Sequence, residues 1–392
     1  MNDFLQRGVT NIIEKNHLQK RLFSERFLRI KFGIDPTGPH IHLGRASTLW
    51  KLRELQDLGH VIVLIIGDFT AQIGDASDKT QERPVLTAED IEKNLVDYLD
   101  QIGRIIDITQ CEIHYNSQWL NDLALSEIMR LNDLFSVSEM LDRDNFQKRF
   151  QAGVRISMRE FMYPLLQGFD SVQVEADVEI GGNDQYFNLM AGRRIQKAYG
   201  QQPQDIITFE FLVGLDGRKM STSWGNGVFI TDSPQDMFGK IMSLNDELIL
   251  HYFQLATDCP LSQIEEYQRR LQAGENPRDI KMILADHIVA RYHGNTEAKQ
   301  ARQGFIQVFQ DKDLPSDMAE LGVKDILDWR PVALISQVFQ ISKSEARRLI
   351  QDGAIKKDQT QIITMDSQLS SELAPFILQK GKRHFIKITP ST

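Results

Sequence analysis

Cysteine is scarce in this sequence. Only Cys111 and Cys259 occur, and no Cys-x-x-Cys pair is present, so the sequence argues against both a disulfide framework and a cysteine zinc site. Long apolar runs are also lacking, because the longest, Val61 to Ile66, falls far short of the roughly 20 residues that cross a bilayer. Residues 1–7 contain no apolar signal-peptide segment. We therefore expect a cytoplasmic protein.

An overall excess of positive charge is absent too, since the formal net charge is −9. The charge is unevenly distributed, however. Residues 341–392 contain nine Lys and Arg against five acidic residues, which leaves −13 for residues 1–340. A basic segment on an acidic body is what local RNA contact requires. A solvated basic face without a partner gives the same charge pattern, so charge alone leaves both interpretations open.

A chain of 392 residues is too long for a single compact core. In its first half, short apolar segments with strand character alternate with helical patterns. The strand candidates are residues 28–34, 61–66, 112–115, 172–174, 178–180 and 209–213. Helices are predicted from Leu43 to Leu58 and from a capping-box-like sequence at Thr87. The alternation predicts a Rossmann-like, doubly wound α/β domain with a parallel sheet over residues 1–230, with ligands at the carboxyl ends of the strands.

The second half lacks this alternation. Four helical patterns follow one another without an intervening strand, at residues 237–242, 246–256, 261–273 and 277–292. They predict a small all-α domain over residues 231–318. A polar linker at residues 311–317 then leads to a helical segment at 341–350 and a β-rich tail, which predict a C-terminal α+β domain over residues 319–392.

Two short peptides have phosphate-binding character. Pro39-His40-Ile41-His42-Leu43-Gly44-Arg45 stands where a predicted strand turns into a helix, and Arg218-Lys219-Met220-Ser221-Thr222-Ser223 lies in a polar loop. A helix N-terminus offers free N–H groups and a positive dipole end to a phosphate. His42 alone is more typical of a surface histidine, and with His40 it lacks a third ligand at zinc spacing.

A third peptide, Gly74 to Thr80, resembles a phosphate-binding P-loop but does not match its pattern. That pattern requires a second Gly directly before the Lys, and Asp78 stands there. We therefore do not assign a P-loop to this segment.

A polar stripe runs along an otherwise apolar helical segment. Tyr163, Gln167 and Asp170 are spaced i, i+4, i+7 and share one helix face. Pro164 is tolerated in the first turn of a helix, so we expect this helix to begin near Arg159. A solvated face gives the same spacing, but a phenol, an amide and a carboxylate together favour the wall of a pocket.

In their order and separation, the two phosphate-binding peptides resemble the paired "HIGH" and "KMSKS" elements of class I aminoacyl-tRNA synthetases. The polar stripe, the Gly74-Asp75 loop and the peptide Gly181-Gly182-Asn183-Asp184-Gln185 narrow the resemblance to the tyrosyl-tRNA synthetases, over almost the whole chain. Residues 342–350, followed by Gly353, resemble the S4 RNA-binding fold that bacterial members carry at the C-terminus. Tryptophanyl enzymes share the catalytic fold and normally lack this module, so the module favours tyrosine.

The resemblance implies four groups of functional residues. The residues that would contact tyrosine are Lys31, Gly33, Asp75, Asn116, Tyr163, Gln167, Asp170 and Gln185. Those that would contact ATP are Asp35, His42, Gly44, Arg45, Thr48, Gly182, Asp184, Lys219, Met220, Ser221 and Thr222. Those that would act in catalysis, by positioning and charge stabilisation, are Thr37, His42, Arg45, Lys79, Arg83 and Lys219. Those that would contact RNA are Lys343, Arg347, Arg348, Lys382 and Arg383.

The implied reaction joins L-tyrosine to ATP as tyrosyl-adenylate and then transfers the tyrosyl group to the 3′-terminal adenosine of tRNA(Tyr). Mg²⁺ would arrive with ATP, and no dedicated metal site on the protein is expected. The family is homodimeric, so a homodimer is expected. Two other functions stay open: a tyrosine-adenylating or tRNA-charging paralogue of a secondary pathway, and a non-catalytic RNA-binding protein with the synthetase fold.

Four positions depart from the best-known form of the family. Lys31 stands where many members have a second phenol-contacting Tyr, and Asn183 replaces a Ser or Thr. Arg45 replaces the second His of "HIGH", and Thr222 replaces the second Lys of "KMSKS". Arg45 keeps a positive charge near the phosphates, whereas Thr222 removes one. If that lysine stabilises charge in the transition state, its loss should slow adenylation unless Arg45 or Arg218 compensates.

Overall fold

The structure, a computed structural model, describes residues 4–24, 27–75, 77, 86–218, 220, 225–309, 318–358, 360–381 and 384–390. The chain divides into two compact units. The first comprises Met1–Asp232 and Lys240–Tyr292, and the second comprises Ser233–Gly239 and His293–Thr392. The division into three domains that the sequence predicts stays a prediction.

The first unit is built on a sheet of six strands among the described residues. They are β1 Val9–Ile13, β2 Arg29–Ile34, β3 Val61–Ile66, β4 Glu112–Tyr115, β5 Val178–Gly182 and β6 Asp205–Phe209. The strand order is β1-β6-β5-β2-β3-β4. All neighbours are parallel except β1 and β6. The chain order reverses between β2 and β5, which is where a doubly wound sheet opens a crevice for ligands. The predicted fold class is confirmed.

Fifteen helices accompany this sheet or follow it in the chain, within the described part and up to residue 293. They are α1 Lys15–Leu22, α2 Leu43–Asp57, α3 Thr70–Ile73, α4 Ala88–Leu95, α5 Tyr98–Gly103, α6 Ser117–Leu120, α7 Leu125–Asn132, α8 Val137–Leu141, α9 Asp144–Gln151, α10 Met158–Gln173, α11 Tyr186–Ala198, α12 Pro234–Met242, α13 Ile249–Ala256, α14 Leu261–Gln272 and α15 Pro277–His293. The predicted capping box at Thr87 is present at the start of α4. Among the described residues, no helix combines the length and the apolar character that a membrane span needs.

Two predicted strands are wrong. Residues 172–174 are not a strand, because α10 continues to Gln173. Leu165, Phe169 and Val172 are spaced i, i+4, i+7 and share one buried cluster, so the helical period outweighs the strand preference of Val. The other strand runs from Asp205 to Phe209 and not over 209–213.

The second error has a physical cause at the first residue of β6. An aspartate such as Asp205 is typical of a loop in the sequence. Here its side chain is fully buried, because Arg21 and His17 contact the carboxylate. Pro164 also departs from expectation, since α10 begins at Met158 and the proline lies beyond its first turn.

The second unit contains another sheet. Its strands are β7 Ala319–Gly322, β8 Ile355–Lys357, β9 Gln361–Ile362, β10 Phe376–Lys380 and β11 His384–Thr389, in the order β7-β11-β10-β8-β9. The helices described there are α16 Asn295–Phe309, α17 Pro331–Val338 and α18 Lys343–Gln351, together with the part of α12 up to Gly239. Buried residues of α17, α18 and the sheet form one apolar cluster, which includes Leu334, Ala346 and Leu378. The predicted linker at residues 311–317 lies outside the described residues.

Candidate active site

Predicted tyrosine- and ATP-binding residues of the first unit gather at the carboxyl ends of its central strands. Asp35 follows β2, Asn116 follows β4, and Gln185 follows β5 in a short 3-10 turn. The polar stripe of α10 faces the same region, because the Tyr163 hydroxyl donates to Asp35 Oδ2 at 2.9 Å. The crevice at the strand reversal is therefore lined by polar side chains from both the sheet and α10.

Asp170 is a deeply buried acid of this crevice, with 3% of its surface exposed. Trp119 Nε1 donates to its Oδ1 at 2.8 Å, and Asn116 Nδ2 donates to its Oδ2 at 3.3 Å. Burial raises the pKa of Asp170 to about 7, and the negative charge of Glu179 acts in the same direction, while the Lys31 ammonium and the two hydrogen bonds oppose the rise. The carboxylate thus needs a further donor to be stable in its ionised form at neutral pH.

A chain of hydrogen bonds links the Asn116 amide, which also contacts Asp170, to Asp35. Thr70 Oγ1 donates to Asp35 Oδ1 at 2.8 Å and accepts from Asn116 Nδ2 at 3.0 Å. Gly67 is required for this arrangement, because a Cβ there would lie 2.0 Å from Asp35 Oδ1. In the predicted sites Asp35 belongs to ATP, whereas here its carboxylate also fixes the Tyr163 hydroxyl.

Lys31 lies beneath the crevice with no exposed surface. Its ammonium donates to Gln167 O and to Ser171 Oγ, both at 2.7 Å, and forms an ion pair with Glu179 Oε1 at 2.9 Å. An ammonium has three protons, so these protein contacts account for all of them. The contact of Lys31 with the substrate phenol stays a prediction. In this structure Lys31 acts on Asp170 through its charge.

A second polar cluster lies where β5 leads into α11. Gln185 Nε2 donates to Asp75 Oδ2 at 2.6 Å. Asn188 Nδ2 lies within 3.2 Å of Gln167 Oε1, Gln185 Oε1 and Ser77 Oγ. Three predicted tyrosine-binding residues are thereby linked through a fully buried asparagine. Sequence reasoning missed Asn188, although its place one turn after Gln185 was available as an indication.

Arg143 was also missed. Its guanidinium lies 4.5 Å from the ring of Phe187 and 5.1 Å from that of Phe146, and donates to Ser77 Oγ at 3.0 Å. Burial lowers the pKa of Arg143, and the negative charge of Asp75 opposes this. The crevice therefore contains a half-buried cation beside Asp75 and Ser77. Nothing in the spacing of the sequence indicates Arg143.

The first phosphate-binding peptide lies at the N-terminus of α2. His42 caps the helix, because its Nδ1 accepts from the Arg45 backbone N–H at 3.2 Å. Gly44 permits this, since a Cβ there would lie 3.1 Å from His42 Nδ1 and 3.3 Å from Leu212 O. The Arg45 guanidinium donates to Thr37 Oγ1 at 2.7 Å and to Tyr98 Oη at 2.6 Å. Thr37, His42 and Arg45 are thus brought together at one helix end.

The other residues predicted to bind ATP or tyrosine are distributed over several strands, helices and turns. Gly33 is exposed although β2 is a central strand, and a Cβ there would meet no atom within 4 Å. Gly182 ends β5, and Asp184 lies in the turn that follows. Thr48 is half-buried on α2, and Met220 is buried. The predicted residues Lys79, Arg83, Lys219, Ser221 and Thr222 lie outside the described residues.

The predicted RNA-binding residues belong to the second unit. Lys343, Arg347 and Arg348 are exposed on α18, whose N-cap is Ser342. Lys382 and Arg383 lie outside the described residues. Within the described part of the chain, no group of three or more His, Cys, Asp or Glu side chains is arranged to hold a metal ion.

Comparison with known proteins identifies related sequences over almost the whole chain. The family model for tRNA synthetases class I (W and Y) matches residues 24–310. The tyrosine–tRNA ligase of Thermotoga maritima is 43% identical over 390 residues, covering 98% of this chain and 96% of the relative. That of Moorella thermoacetica is 45% identical over 390 residues, covering 98% and 94%.

Solved structures agree at the level of the fold. A C-terminally truncated mitochondrial tyrosyl-tRNA synthetase of Aspergillus nidulans gives a TM-score of 0.62 at 22% identity, covering 78% of this chain and 93% of the other. The tyrosyl-tRNA synthetase of Archaeoglobus fulgidus, complexed with L-tyrosine, gives 0.60 at 21% identity, covering 76% and 97%. The chain belongs to the class I tRNA synthetase family of the tryptophan and tyrosine enzymes.

Proposed function

We propose that this protein is a tyrosine–tRNA ligase. It activates L-tyrosine with ATP to tyrosyl-adenylate and pyrophosphate, and then transfers the tyrosyl group to the 3′-terminal adenosine of tRNA(Tyr). The observation that carries the proposal is Asp170, a buried carboxylate whose two oxygens already accept from Trp119 and Asn116. A phenol hydroxyl supplies the further donor that this carboxylate requires, while the benzyl group of phenylalanine would leave it without that donor.

The substrate's amino group has its own acceptors in the crevice. Asp75, Tyr163 and Gln167 each belong to the hydrogen-bonded clusters described above. A carboxylate, a phenolic oxygen and an amide oxygen suit an ammonium group. Tyrosine would therefore be held at both ends, with its own carboxylate directed toward the N-terminus of α2.

The first chemical step needs orientation and charge but no general base. The tyrosine carboxylate is already ionised and attacks the α-phosphate of ATP in line, with pyrophosphate as the leaving group. His42, Gly44 and Arg45 place a helix N-terminus and a guanidinium at this end of the crevice. These groups stabilise the charge that develops on the phosphate oxygens. Mg²⁺ belongs to this step as part of the substrate MgATP.

The second unit would supply part of the tRNA contact. Lys343 and Arg347 stand four residues apart on α18 and are both exposed, so they present two cations on one helix face to phosphates. The proposal keeps the cytoplasmic location expected from the sequence, where tRNA charging takes place.

We also propose a homodimer. Large apolar side chains that are more than half exposed occur on α7 to α10, and they are Leu125, Met129, Val137, Phe150 and Met158. Exposed apolar surface of this extent is typical of an interface. Sedimentation analysis that finds only a monomer at micromolar concentration would overturn this part of the proposal.

The deciding experiment is amino-acid-dependent ATP–pyrophosphate exchange, with tyrosine, phenylalanine and tryptophan compared, followed by charging of tRNA(Tyr). We expect exchange with tyrosine alone, and charging by the same preparation. Strong exchange with tryptophan would refute the assignment. Exchange without charging would point to an adenylating paralogue, and tRNA binding without exchange would point to a non-catalytic RNA-binding protein.

A further inference from the structure

A buried ion pair lies directly beneath the proposed tyrosine pocket. Lys31 on β2 and Glu179 on β5 are register partners on neighbouring parallel strands. Their charged groups lie 2.9 Å apart, and neither side chain is more than 1% exposed. The pair therefore spans the strand reversal at which the crevice opens.

The surroundings of this pair are polar and closely packed. Ser171 Oγ donates to Glu179 Oε2 at 3.2 Å, and Gln204 Nε2 donates to the same oxygen. Gly192 makes room for this cluster, because a Cβ there would lie 2.6 Å from Gln204 Nε2 and 2.9 Å from Ser171 Oγ. A buried ion pair contributes little net stability compared with apolar residues of similar volume. The function of the Lys31–Glu179 pair therefore lies in orienting a neighbouring side chain.

That group is Gln167. Its Nε2 donates to Glu179 Oε1 at 3.2 Å, and its Oε1 accepts from Asn188 Nδ2 at 3.2 Å. An ionised carboxylate can only accept hydrogen bonds, so Glu179 determines which end of the amide is the nitrogen. The amide oxygen must then face Asn188 and the pocket, where its second lone pair can accept from a ligand. Lys31 contributes by neutralising Glu179 and by binding the Gln167 backbone carbonyl at 2.7 Å.

We propose that Lys31 and Glu179 are positioning residues, which hold Gln167 as a hydrogen-bond acceptor for the α-ammonium group of the substrate. The inference rests on the proposed function, and it gives Lys31 a role other than the phenol contact implied by the family resemblance. Through Gln167, the pair makes the pocket select α-amino acids over phenolic acids that lack the amino group. Without an ionised group at position 179 the amide can turn over and present its NH₂ group, which repels an ammonium.

The test compares two ligands that share the phenol and the carboxylate. L-Tyrosine carries the ammonium group, and 3-(4-hydroxyphenyl)propionate lacks it. Dissociation constants are measured by titration calorimetry at pH 8, where Asp170 is largely ionised given its pKa of about 7. Glu179→Gln keeps the shape of the side chain but can donate as well as accept. The double variant Lys31→Met with Glu179→Gln removes both charges, so that no unpaired ammonium is left buried if the single variant fails to fold.

We expect the preference of the wild type for tyrosine over the propionate to shrink by about tenfold in either variant, as for the loss of one hydrogen bond to a charged group. The propionate itself should bind almost as before. Ser171→Ala is the matched control, because it removes one hydrogen bond of Glu179 and one of Lys31 but keeps both charges and the hydrogen bonds of the Gln167 side chain, and its ligand preference should be unchanged.

The outcomes separate this inference from the proposed function. If the wild type shows no preference for tyrosine over phenylalanine in the pyrophosphate-exchange assay described above, the proposed function is refuted. If the wild type prefers tyrosine but the variants weaken both phenolic ligands equally, the pair is merely structural and the inference falls. An equal change of preference in Ser171→Ala would overturn it as well.

Discussion

The affinity for tyrosine should depend on pH between 6 and 8, because Asp170 titrates in that interval. Its pKa lies at about 7, raised chiefly by burial. The ionised carboxylate accepts a hydrogen bond from the substrate phenol, whereas the protonated form presents a competing donor. Lys31 and Glu179 also face Asp170 with their charges, the ammonium lowering its pKa and the carboxylate raising it.

The size of the effect follows from the fraction of Asp170 that is ionised. If only that form binds tyrosine, the dissociation constant rises about elevenfold at pH 6 and about 1.1-fold at pH 8, relative to full ionisation. Tyrosine should therefore bind about tenfold more weakly at pH 6 than at pH 8. Equilibrium dialysis with labelled tyrosine measures this directly, and Asp170→Asn is the control because it cannot ionise. An affinity that is the same at both pH values, or an equal pH dependence in the variant, would refute the reasoning.

The same titration affects the stability of the free protein. The pKa of Asp170 is raised on folding, so its ionisation opposes the folded state. Stability is lost as pH rises from about 4 to about 7 and is constant above that. Asp170→Asn cannot ionise and does not lose this stability. The difference in free energy of unfolding, variant minus wild type, should therefore be about 2 to 3 kcal/mol larger at pH 8 than at pH 5. Urea unfolding at the two pH values measures the difference, and a pH-independent difference would contradict the raised pKa.

Three further predictions concern other parts of the site. Gly67→Ala should weaken tyrosine binding at least tenfold and lower the unfolding temperature, because its Cβ would lie 2.0 Å from a pocket carboxylate oxygen; unchanged binding would show that this carboxylate takes no part in binding tyrosine. Arg45→His should slow adenylation in pre-steady-state kinetics, and Thr222→Lys should restore part of the rate; additive effects would mean that the two positions are independent. Reversing the exposed charges of Lys343 and Arg347 to Glu should abolish tRNA charging and leave pyrophosphate exchange intact; normal charging would refute the RNA-binding role.

The elements that could be predicted from the sequence are those whose apolar residues fit only one pattern, that of a strand or that of a helix. β3 is a continuous apolar run and is almost completely buried, so its strand character follows from sequence alone. The segment at Val172 shows the opposite case, since β-branched residues there complete a helix face whose partners come from elsewhere in the chain. Strand preference and helical period conflict at that point, and only tertiary packing decides between them.

Site residues that belong to a family motif could be predicted from the sequence. Residues that act only by orienting another side chain could not. Asp170 and Gln167 stand on one face of a predicted helix, and that spacing is visible in the sequence. Glu179 looks like an ordinary strand residue until β5 pairs with β2 and places it against Lys31. The acceptors that bind substrate thus follow from local pattern, whereas the groups that fix their orientation depend on strand register.

Arg45 shows how a departure from a motif can depend on a distant position. The Arg45 guanidinium reaches the hydroxyl of Tyr98, a fully buried side chain on α5, as well as that of Thr37. An imidazole is too short to span both partners, so Arg45→His would leave a buried hydroxyl without its donor, at a cost of about 1 to 3 kcal/mol. Slower adenylation in that variant could therefore arise from lost charge or from disturbed packing. Combining Arg45→His with Tyr98→Phe removes the orphaned hydroxyl: if adenylation stays slow while stability returns, the charge of Arg45 acts on the phosphates, and if the rate recovers as well, Arg45 serves only to pack α2 against α5.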